Sequence, residues 1–331
     1  MTCLPIAVTV GEPAGIGAEI IVKAWQTLRD ETPFFVIGDA VHIEDTATKY
    51  GGPVQTITCT SEAINVCSDS LPILDHPFPT RPTPGVLDKT NASAVIEIIE
   101  RGVSLVHEGE ASSICTAPIH KQNLVEGAGF AFPGHTEFLA YLCHADAPVM
   151  MLCAPELRVV PVTIHIPLSD ISRVLTRELL TEAIRETHQS LVNDFGISYP
   201  SISVAGLNPH AGEGGLIGRE EIETISPVIA QLRKEGLQLS GPQSADTMFH
   251  PDARKTYDAA VCMYHDQALI PLKTIDFYRG VNTTLGLDIV RTSPDHGTGL
   301  DIAGKNRANP DSMIAALRLA QSMSRSRNRS I

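Results

Sequence analysis

PIAVTVGEPAGIGAEIIVKAW, residues 5–25, contains an apolar run, a glycine-rich turn and an apolar segment with helical spacing. This order predicts a β-strand that leads directly into an α-helix. Further strands are predicted in PFFVIGD (33–39), SSICTAP (112–118), LRVVPVTIHIPLSD (157–170), SISVAGLNPHAGEGG (201–215) and TYDAAVCMYHDQ (256–267). Strands that alternate with helices in this way indicate an α/β architecture.

Helical spacing predicts helices within residues 90–109, in a stretch that ends near Phe195, and within residues 311–323. Asn91 or Thr90 is the expected N-cap of the first of these helices. Five prolines between Leu71 and Gly85 predict an irregular loop there, because proline lacks the N–H that strands and helices use. The length of 331 residues favours two domains.

Composition excludes several classes of function. A net charge of -13 argues against a nucleic-acid groove and against a polybasic membrane surface. The N-terminal residues lack the pattern of a signal peptide, and no apolar run has the length of a membrane span. The seven cysteines are odd in number and include no C-x-x-C, which favours reduced thiols in the cytoplasm over disulfides.

Three of the twelve histidines share one context, because each follows a predicted strand: His165, His210 and His265. Ligands of open α/β sheets bind at the carboxyl ends of strands, so these side chains are candidates to converge in space. Three neutral imidazoles with vacant positions suit a catalytic divalent metal. The alternative is that each histidine separately satisfies a hydrogen bond within its own loop.

Other polar residues are candidates for substrate contacts. FPGHTEF places His135 and Thr136 after a Pro-Gly turn, where an imidazole and a hydroxyl can hold polar groups. Lys273, Asn282 and Arg291 are spaced along residues 273–291, and two cations with an amide can hold a phosphate and a carboxylate. The alternative for each cation is a solvated surface charge.

The turn GEPAGIG, residues 11–17, has two interpretations. It follows a strand and opens a helix, as a phosphate-binding loop does. It matches neither of the established glycine-rich phosphate motifs, and a structural turn between strand and helix explains it equally well.

Six motifs carry a resemblance to a known family: GEPAGIG, PGHTEF, GLNPHAGEGG, MYHDQALIPLK, GVNTTLGL and RTSPDHGT. In this order they resemble the 4-hydroxythreonine-4-phosphate dehydrogenases of pyridoxal phosphate biosynthesis, from about residue 6 to residue 320. The resemblance implies two α/β domains flanking a cleft, as in the isocitrate and isopropylmalate dehydrogenases. The expected first domain is 1–132 plus 285–331, with the adenosine-binding loop; the second is 133–284, with the metal ligands and the dimer interface.

The resemblance also implies a reaction. Such enzymes oxidise the C3 hydroxyl of 4-phosphooxy-L-threonine with NAD or NADP, and the β-keto acid loses carbon dioxide to give 3-amino-2-oxopropyl phosphate. They are homodimers with one divalent metal per site, either zinc, magnesium or cobalt. In the family's pattern the metal ligands fall on His165, His210 and His265, and His265 would complete the site of the neighbouring subunit.

The remaining roles follow the same pattern. Substrate contacts fall on His135, Thr136, Lys273, Asn282 and Arg291, with Asp246 and Asp266 as polar partners. Residue type makes Lys273 the first candidate for proton transfer and Asp266 the second.

A cofactor loop is expected in HGTGLDIAGKNRANP, residues 296–310, which looks like the adenosine-binding loop of the isopropylmalate dehydrogenases. The resemblance assigns Asp301 to the ribose hydroxyls and Asn309 to the adenine, with Ile302 between them. A carboxylate accepts from a 2′-hydroxyl and repels a 2′-phosphate, so NAD is favoured over NADP. The alternative is a loop in which Asp301 only caps a helix.

Two alternatives to the threonine phosphate reaction stay open. A sister enzyme acting on phosphorylated threonate or erythronate would share the metal and phosphate contacts. A phosphate acyltransferase of similar fold would require neither a nicotinamide cofactor nor three metal-binding histidines.

Overall fold

The computed structural model describes residues 4–330, and the chain divides into two compact units. Unit 1 runs to Asp146 and resumes at Leu287–Arg325; unit 2 comprises Ala147–Gly286 and the chain from Ser326 onward. Cys3 lies outside the described residues, and the other six cysteines are free thiols. Among the described residues, no helix combines the length and the apolar composition that crossing a membrane requires.

Unit 1 is built on a parallel sheet. Its strands are β1 Ile6–Thr9, β2 Phe34–Gly38, β3 Val54–Ile57, β4 Leu71–Asp75, β5 Ser113–Thr116 and β12 Arg291–Pro294. Its helices are α1 Gly17–Leu28, α2 Ala40–Tyr50, α3 Ala63–Val66, α4 Ala92–His107, α5 Lys121–Ala128, α6 His135–Leu142 and α12 Asp311–Ser330, which continues past the end of the unit. The strand order is β3-β4-β2-β1-β5-β12. Strands β1 and β2 are buried throughout, which explains their nearly continuous apolar sequences.

The prediction of an irregular loop from Leu71 to Gly85 is wrong for the first five residues, which form β4. Proline is tolerated there because Pro72 is the second residue of the strand, aligned with Gln55 of β3. Pairing with β2 begins one residue later, at Ile73. The missing N–H therefore falls at the strand end, where proline is compatible with a sheet.

The predicted cap of α4 is also wrong in part. Asn91 precedes the helix, but its side chain accepts from the Thr80 N–H and donates to the Thr80 carbonyl instead of capping. The capping carboxylate is Asp88, which accepts from the Thr90 N–H at 3.0 Å and begins a short 3₁₀ turn before α4.

The turn at residues 11–17 is built on close backbone packing. A Cβ atom on Gly15 would lie 2.6 Å from the Thr298 carbonyl oxygen, and one on Gly17 would lie 2.1 Å from the Val10 carbonyl oxygen. Gly11 has a φ of +71°, in the left-handed region. These contacts support the structural interpretation of the turn.

Unit 2 is a mixed sheet. Its strands are β6 Val149–Ala154, β7 Leu157–Thr163, β8 Ser201–Ala205, β9 Gln238–Gln243, β10 Ala259–Tyr264 and β11 Val281–Leu285, in the order β11-β6-β7-β10-β8-β9. Its helices are α7 Ile171–Val174, α8 Arg177–Asn193, α9 Ser226–Lys234, α10 Pro251–Arg254 and α11 His265–Ile275. Strands β7, β10, β8 and β9 are parallel, whereas β6 pairs antiparallel with both β7 and β11. The α/β class predicted from the sequence is confirmed.

Residues 133–146 belong to unit 1, although the sequence suggested the second domain for them. Phe138 of α6 lies 5.2 Å from the Phe130 ring and 5.1 Å from the Phe132 ring, measured between ring centroids. This aromatic cluster anchors α6 to the chain segment that precedes it.

Candidate active site

Three neighbouring strands of unit 2 end at one edge of its sheet. Strand β10 pairs in parallel with β7 on one side and β8 on the other. The Thr163 hydroxyl donates to the Met263 carbonyl at 2.7 Å, which ties the end of β7 to the end of β10. Buried Gln267 accepts from the Met263 N–H and donates to the Gly206 carbonyl, which ties β10 to the chain after β8. The segments carrying the three candidate histidines are therefore fixed to one another.

Two of these histidines lie together. The ring centroids of His165 and His265 are 5.9 Å apart, with an angle of 42° between the ring planes. Both side chains line a cavity of about 220 Å³ with Asp266, Tyr264 and Leu168 among the other lining residues. Both are accessible to solvent, so the structure leaves room for a bound group between them.

A carboxylate orients the His265 ring. Nδ1 of His265 lies 2.8 Å from Oδ1 of Asp266. When Nδ1 carries the proton and donates to this carboxylate, Nε2 is left as the atom with a free lone pair. Metal-binding histidines commonly have such a partner, because it fixes the ring and increases its basicity. Asp266 was expected as a polar partner, and its contact with His265 is a specific one.

His210 lies in a different local environment. It begins a left-handed turn in which residues 210–214 all have positive φ, including the non-glycine residues Ala211 and Glu213. Left-handed backbone costs about 1–2 kcal/mol per non-glycine residue. Buried Glu221 holds the preceding segment by accepting from the Asn208 backbone N–H at 2.7 Å and from its side-chain amide at 3.0 Å.

Glu213 gives His210 the same kind of partner that His265 has. Its Oε2 lies 3.2 Å from Nδ1 of the exposed His210 ring. Glu213 was not among the predicted site residues, and its only signal in the sequence was its position three residues after a candidate ligand. Strained backbone of this kind is concentrated at functional sites.

The three histidines do not form one ligand cluster within a single chain. Over residues 4–330, the group whose donor atoms all lie within 4.8 Å of one another is His107, Cys143 and Asp288 of unit 1. Nε2 of His107 is 3.0 Å from Oδ2 of Asp288. The structure thus brings His165 and His265 together and leaves His210 outside their cavity.

Unit 1 carries another group of predicted substrate residues. Arg291 is the first residue of β12 and is almost fully buried, with its guanidinium donating to the Thr116 hydroxyl at the end of β5. Burial lowers the pKa of Arg291 to about 10. His135 is the first residue of α6, and its half-buried neighbour Thr136 follows it.

The His135 imidazole is neutral at pH 7. Burial, and then the charge of Arg291, hold its pKa well below the ordinary value. Its Nε2 is buried and has no hydrogen-bond partner. Buried polar atoms are normally satisfied, so such an atom beside a buried guanidinium is typical of a site that receives a polar ligand.

The remaining predicted substrate residues belong to unit 2. Asn282 lies on β11 opposite Leu152, and its Oδ1 is buried with no partner. Half-buried Lys273 lies in α11, with its ammonium 5.9 Å from the centroid of the Phe277 ring. Asp246 is exposed in a 3₁₀ turn and accepts from the Ser244 hydroxyl at 2.5 Å.

The expected cofactor loop consists of successive turns. The Ile302 N–H donates to the Gly299 carbonyl, and the Lys305 ammonium donates to the Asp301 carbonyl. The Asp301 side chain is exposed and caps no helix, whereas Asn309 Oδ1 accepts from the Asp311 N–H at the start of α12. Asn309 therefore caps α12, and the Asp301 carboxylate is accessible to a ligand.

Comparison with known proteins places these features in context. The family described as pyridoxal phosphate biosynthetic protein PdxA matches residues 30–320. A 4-hydroxythreonine-4-phosphate dehydrogenase of Ruegeria sp. (strain TM1040) is 54% identical over 322 residues, covering 97% of each chain. The crystal structure of the Klebsiella pneumoniae 4-hydroxythreonine-4-phosphate dehydrogenase has a TM-score of 0.89 at 37% identity, covering 98% of each chain. A terephthalate 1,2-cis-dihydrodiol dehydrogenase from Burkholderia xenovorans has a TM-score of 0.67 at 28% identity, covering 97% of this chain and 98% of its own.

Proposed function

The chain belongs to the PdxA family of pyridoxal phosphate biosynthetic proteins, and from this premise we propose that it oxidises 4-phosphooxy-L-threonine at C3. The proposal rests on the Ruegeria relative that is named for this activity. That relative is 54% identical over nearly the whole of both chains. The hydroxyl carbon loses a hydride to NAD or NADP, and the oxygen loses its proton. The resulting β-keto acid loses carbon dioxide to give 3-amino-2-oxopropyl phosphate, a step in pyridoxal phosphate biosynthesis.

We propose that His165, His210 and His265 hold a divalent metal, and the chemistry of the donor set supports this. His265 and His210 each have a carboxylate at Nδ1, and the rings of His165 and His265 are 5.9 Å apart. A bound zinc, magnesium or cobalt ion would supply a Lewis acid for negative charge on the C3 oxygen. The protein's part is to keep the three rings oriented and their Nε2 atoms deprotonated.

A homodimer that shares its sites accounts for the separation of His210 from the other two ligands. In a symmetric dimer, one chain would provide His165 and His265 while His210 comes from the other chain. Unit 2 also exposes large apolar side chains, which a partner would cover: Leu168 (71%), Leu216 (86%), Ile270 (61%) and Phe277 (68%). The family pattern instead assigns His265 to the neighbouring subunit, and the two arrangements are distinguishable.

Substrate contacts are proposed for the residues expected from the sequence. His135 and Thr136 offer an imidazole and a hydroxyl, and buried Arg291 offers a guanidinium to an anionic group. Asn282 offers its unpartnered Oδ1 to a donor of the substrate. Asp246 serves as a further polar partner.

Lys273 is proposed as the group that moves protons. An ammonium half-buried beside an aromatic ring is partly shielded from water, which suits a general acid or base. Asp266 is the second candidate, although its contact with His265 favours an orienting role.

The cofactor residues are proposed to be Asp301, Ile302 and Asn309, with NAD favoured over NADP. The accessible Asp301 carboxylate fits a ribose 2′-hydroxyl and repels a 2′-phosphate. The nicotinamide would accept the hydride from C3.

We also propose a cytoplasmic location, in keeping with the six free thiols among the described residues.

Initial rates with three substrates test this function. We expect the highest kcat/KM with 4-phosphooxy-L-threonine, lower values with the 4-phosphates of threonate and erythronate, and loss of all turnover in chelator. A faster reaction with either hydroxy acid phosphate would assign the chain to the sister activity. Acyl transfer to phosphate without a nicotinamide would replace the proposal altogether.

A further inference from the structure

A group of three potential metal ligands in unit 1 has no role in the function proposed above. This mixed-donor group consists of His107, Cys143 and Asp288, whose donor atoms all lie within 4.8 Å of one another. Nε2 of His107 is 3.0 Å from Oδ2 of Asp288. His107 is the last residue of α4, Cys143 directly follows α6, and Asp288 lies between β11 and β12. An imidazole, a thiol and a carboxylate therefore meet from three separate segments of unit 1.

The end of α4 holds His107 in place. Gly109 has a φ of +72°, in the left-handed region in which many helices end. The N–H groups of Glu110 and Ala111 both donate to the Leu105 carbonyl, at 2.9 and 3.0 Å. The last turn of α4, which carries the imidazole, is thus closed by hydrogen bonds.

The end of α6 holds Cys143 in the same manner. The Cys143 N–H donates to the Leu139 carbonyl at 2.9 Å. The next residue, His144, has a φ of +51°, and the Ala145 N–H then donates to the Ala140 carbonyl at 2.9 Å. Helices α4 and α6 pack against each other, so the imidazole and the thiol belong to one rigid part of unit 1.

The charges around the mixed-donor group favour a divalent cation. Two helices, α4 with sixteen residues and α6 with eight, end at this group, and the C-terminus of a helix carries partial negative charge. When a metal binds, the Cys143 thiol releases its proton to water, and the thiolate and the Asp288 carboxylate together balance two positive charges. The His107 imidazole binds in its neutral form.

The mixed-donor group is open to solvent on the side of its two polar members. The side chain of His107 is 36% exposed and that of Asp288 is 58% exposed, whereas Cys143 is buried. A cation can therefore enter from solvent, reach the thiol and keep a water molecule as a further ligand.

We propose that His107, Cys143 and Asp288 bind a divalent cation of the zinc class, with water in the fourth position. Thiolate, imidazole and carboxylate are all zinc ligands, and the thiolate disfavours magnesium and calcium. In a tetrahedral site with bonds of about 2.0–2.3 Å, neighbouring ligand atoms lie roughly 3.3–3.6 Å apart. The donors of this group need to move together by only about 1 Å, which side-chain rotation supplies.

The bound cation joins the two places where the chain crosses between the units to the end of α4. Cys143 lies three residues before unit 1 ends at Asp146, and Asp288 is the second residue after unit 1 resumes at Leu287. The cation displaces the existing contact between His107 and Asp288, and solvent reaches both side chains. We therefore expect exchangeable binding that dialysis against buffer reverses.

Titration of the full-length protein with Co²⁺ tests this inference by its absorption spectrum. A thiolate bound to Co²⁺ gives an intense charge-transfer band in the near ultraviolet, which a centre of three histidines does not give. We expect this band in the wild type and its loss in Cys143→Ser. Cys59→Ser, which removes an exposed thiol elsewhere in unit 1, should keep the band.

The two polar ligands have their own variants. His107→Gln and Asp288→Asn should each weaken Co²⁺ binding, measured from the same band, by more than about 10-fold with unchanged circular dichroism. His76→Gln is the matched control, because Nε2 of His76 lies 3.2 Å from Oε2 of Glu97 in a comparable pair outside the mixed-donor group. The control should bind Co²⁺ as the wild type does.

Three results would overturn the inference: no band in the wild type at saturating Co²⁺, a band retained in Cys143→Ser, or wild-type affinity in both His107→Gln and Asp288→Asn. The band should persist in His165→Ala, a variant that the proposed function predicts to be inactive. The cation site of unit 1 and the metal centre proposed for unit 2 can therefore fail independently of each other.

Discussion

The imidazole rings of His165 and His265 lie with their centroids 5.9 Å apart, although each follows a different strand. Their strands, β7 and β10, are direct parallel neighbours, and Thr163 is aligned with Tyr264 at the strand ends. The pairing therefore follows from the sheet register. It places two of the three proposed metal ligands, His165 and His265, next to each other within one chain.

Mixing inactive variants tests how the ligands are divided between subunits. If His165 and His265 of one chain act with His210 of the other, His165→Ala mixed with His210→Ala restores about a quarter of the wild-type sites. His165→Ala mixed with His265→Ala restores none. The reverse result, with subunit exchange verified by mass spectrometry, would return His265 to the neighbouring site.

Replacing Lys273 tests the proposed proton transfer. Lys273→Met keeps most of the side-chain volume and removes the ammonium, so we expect kcat to fall by about 100-fold or more with a smaller change in KM. Lys255→Met is the control, because Lys255 is an exposed residue that pairs with Asp252. A Lys273→Met enzyme with the kcat of the control would exclude Lys273 from proton transfer.

The neutral state of His135 predicts a specific pH dependence of stability. Its folded-state pKa is lowered, so below about pH 6.5 the unfolded chain binds a proton that the folded chain does not. The free energy of unfolding then decreases as the pH falls, and His135 contributes up to about 1.4 kcal/mol of this loss per pH unit. His135→Gln should show a shallower loss between pH 7 and pH 5 in denaturant unfolding; parallel curves would contradict the assignment.

Asp301 is expected to set the cofactor preference. In Asp301→Ala the repulsion of a 2′-phosphate is removed, so the ratio of kcat/KM for NAD over NADP should fall by about 10-fold. Asp69→Ala, an exposed position elsewhere in unit 1, serves as the control. An unchanged ratio in Asp301→Ala would remove this carboxylate from the cofactor site.

Much of the fold was accessible from the sequence, because its strands are short apolar runs that end at glycine, proline or a polar residue. β4 was missed because its proline suggested a loop, and only the register with β2 and β3 explains why proline fits there. The cap of α4 was misplaced because the Asn91 side chain is hydrogen-bonded to the backbone of Thr80, eleven residues earlier in the chain. Contacts of that kind leave no local pattern.

The candidate site divides in the same way. The strand-end context singled out the three histidines, since neighbouring strands of a parallel sheet end at one edge. The structure brings His165 and His265 together, whereas His210 lies outside their cavity. The Glu213 carboxylate that contacts His210 was not predicted, and neither was the left-handed turn that holds both residues. Five successive residues with positive φ, including Ala211 and Glu213, have no sequence signature. The mixed-donor group of unit 1 was equally hidden, since its residues come from three separate segments.

Metal content of histidine variants tests the central proposal most directly. Wild-type protein, dialysed against zinc and then against buffer, is expected to retain one zinc per chain by mass spectrometry of the metal. His165→Ala, His210→Ala and His265→Ala should each fall to less than about a tenth of that value with unchanged circular dichroism, while His250→Ala, an exposed histidine of unit 2, retains the full amount. Full zinc content in any of the three variants would contradict the metal centre proposed for this enzyme.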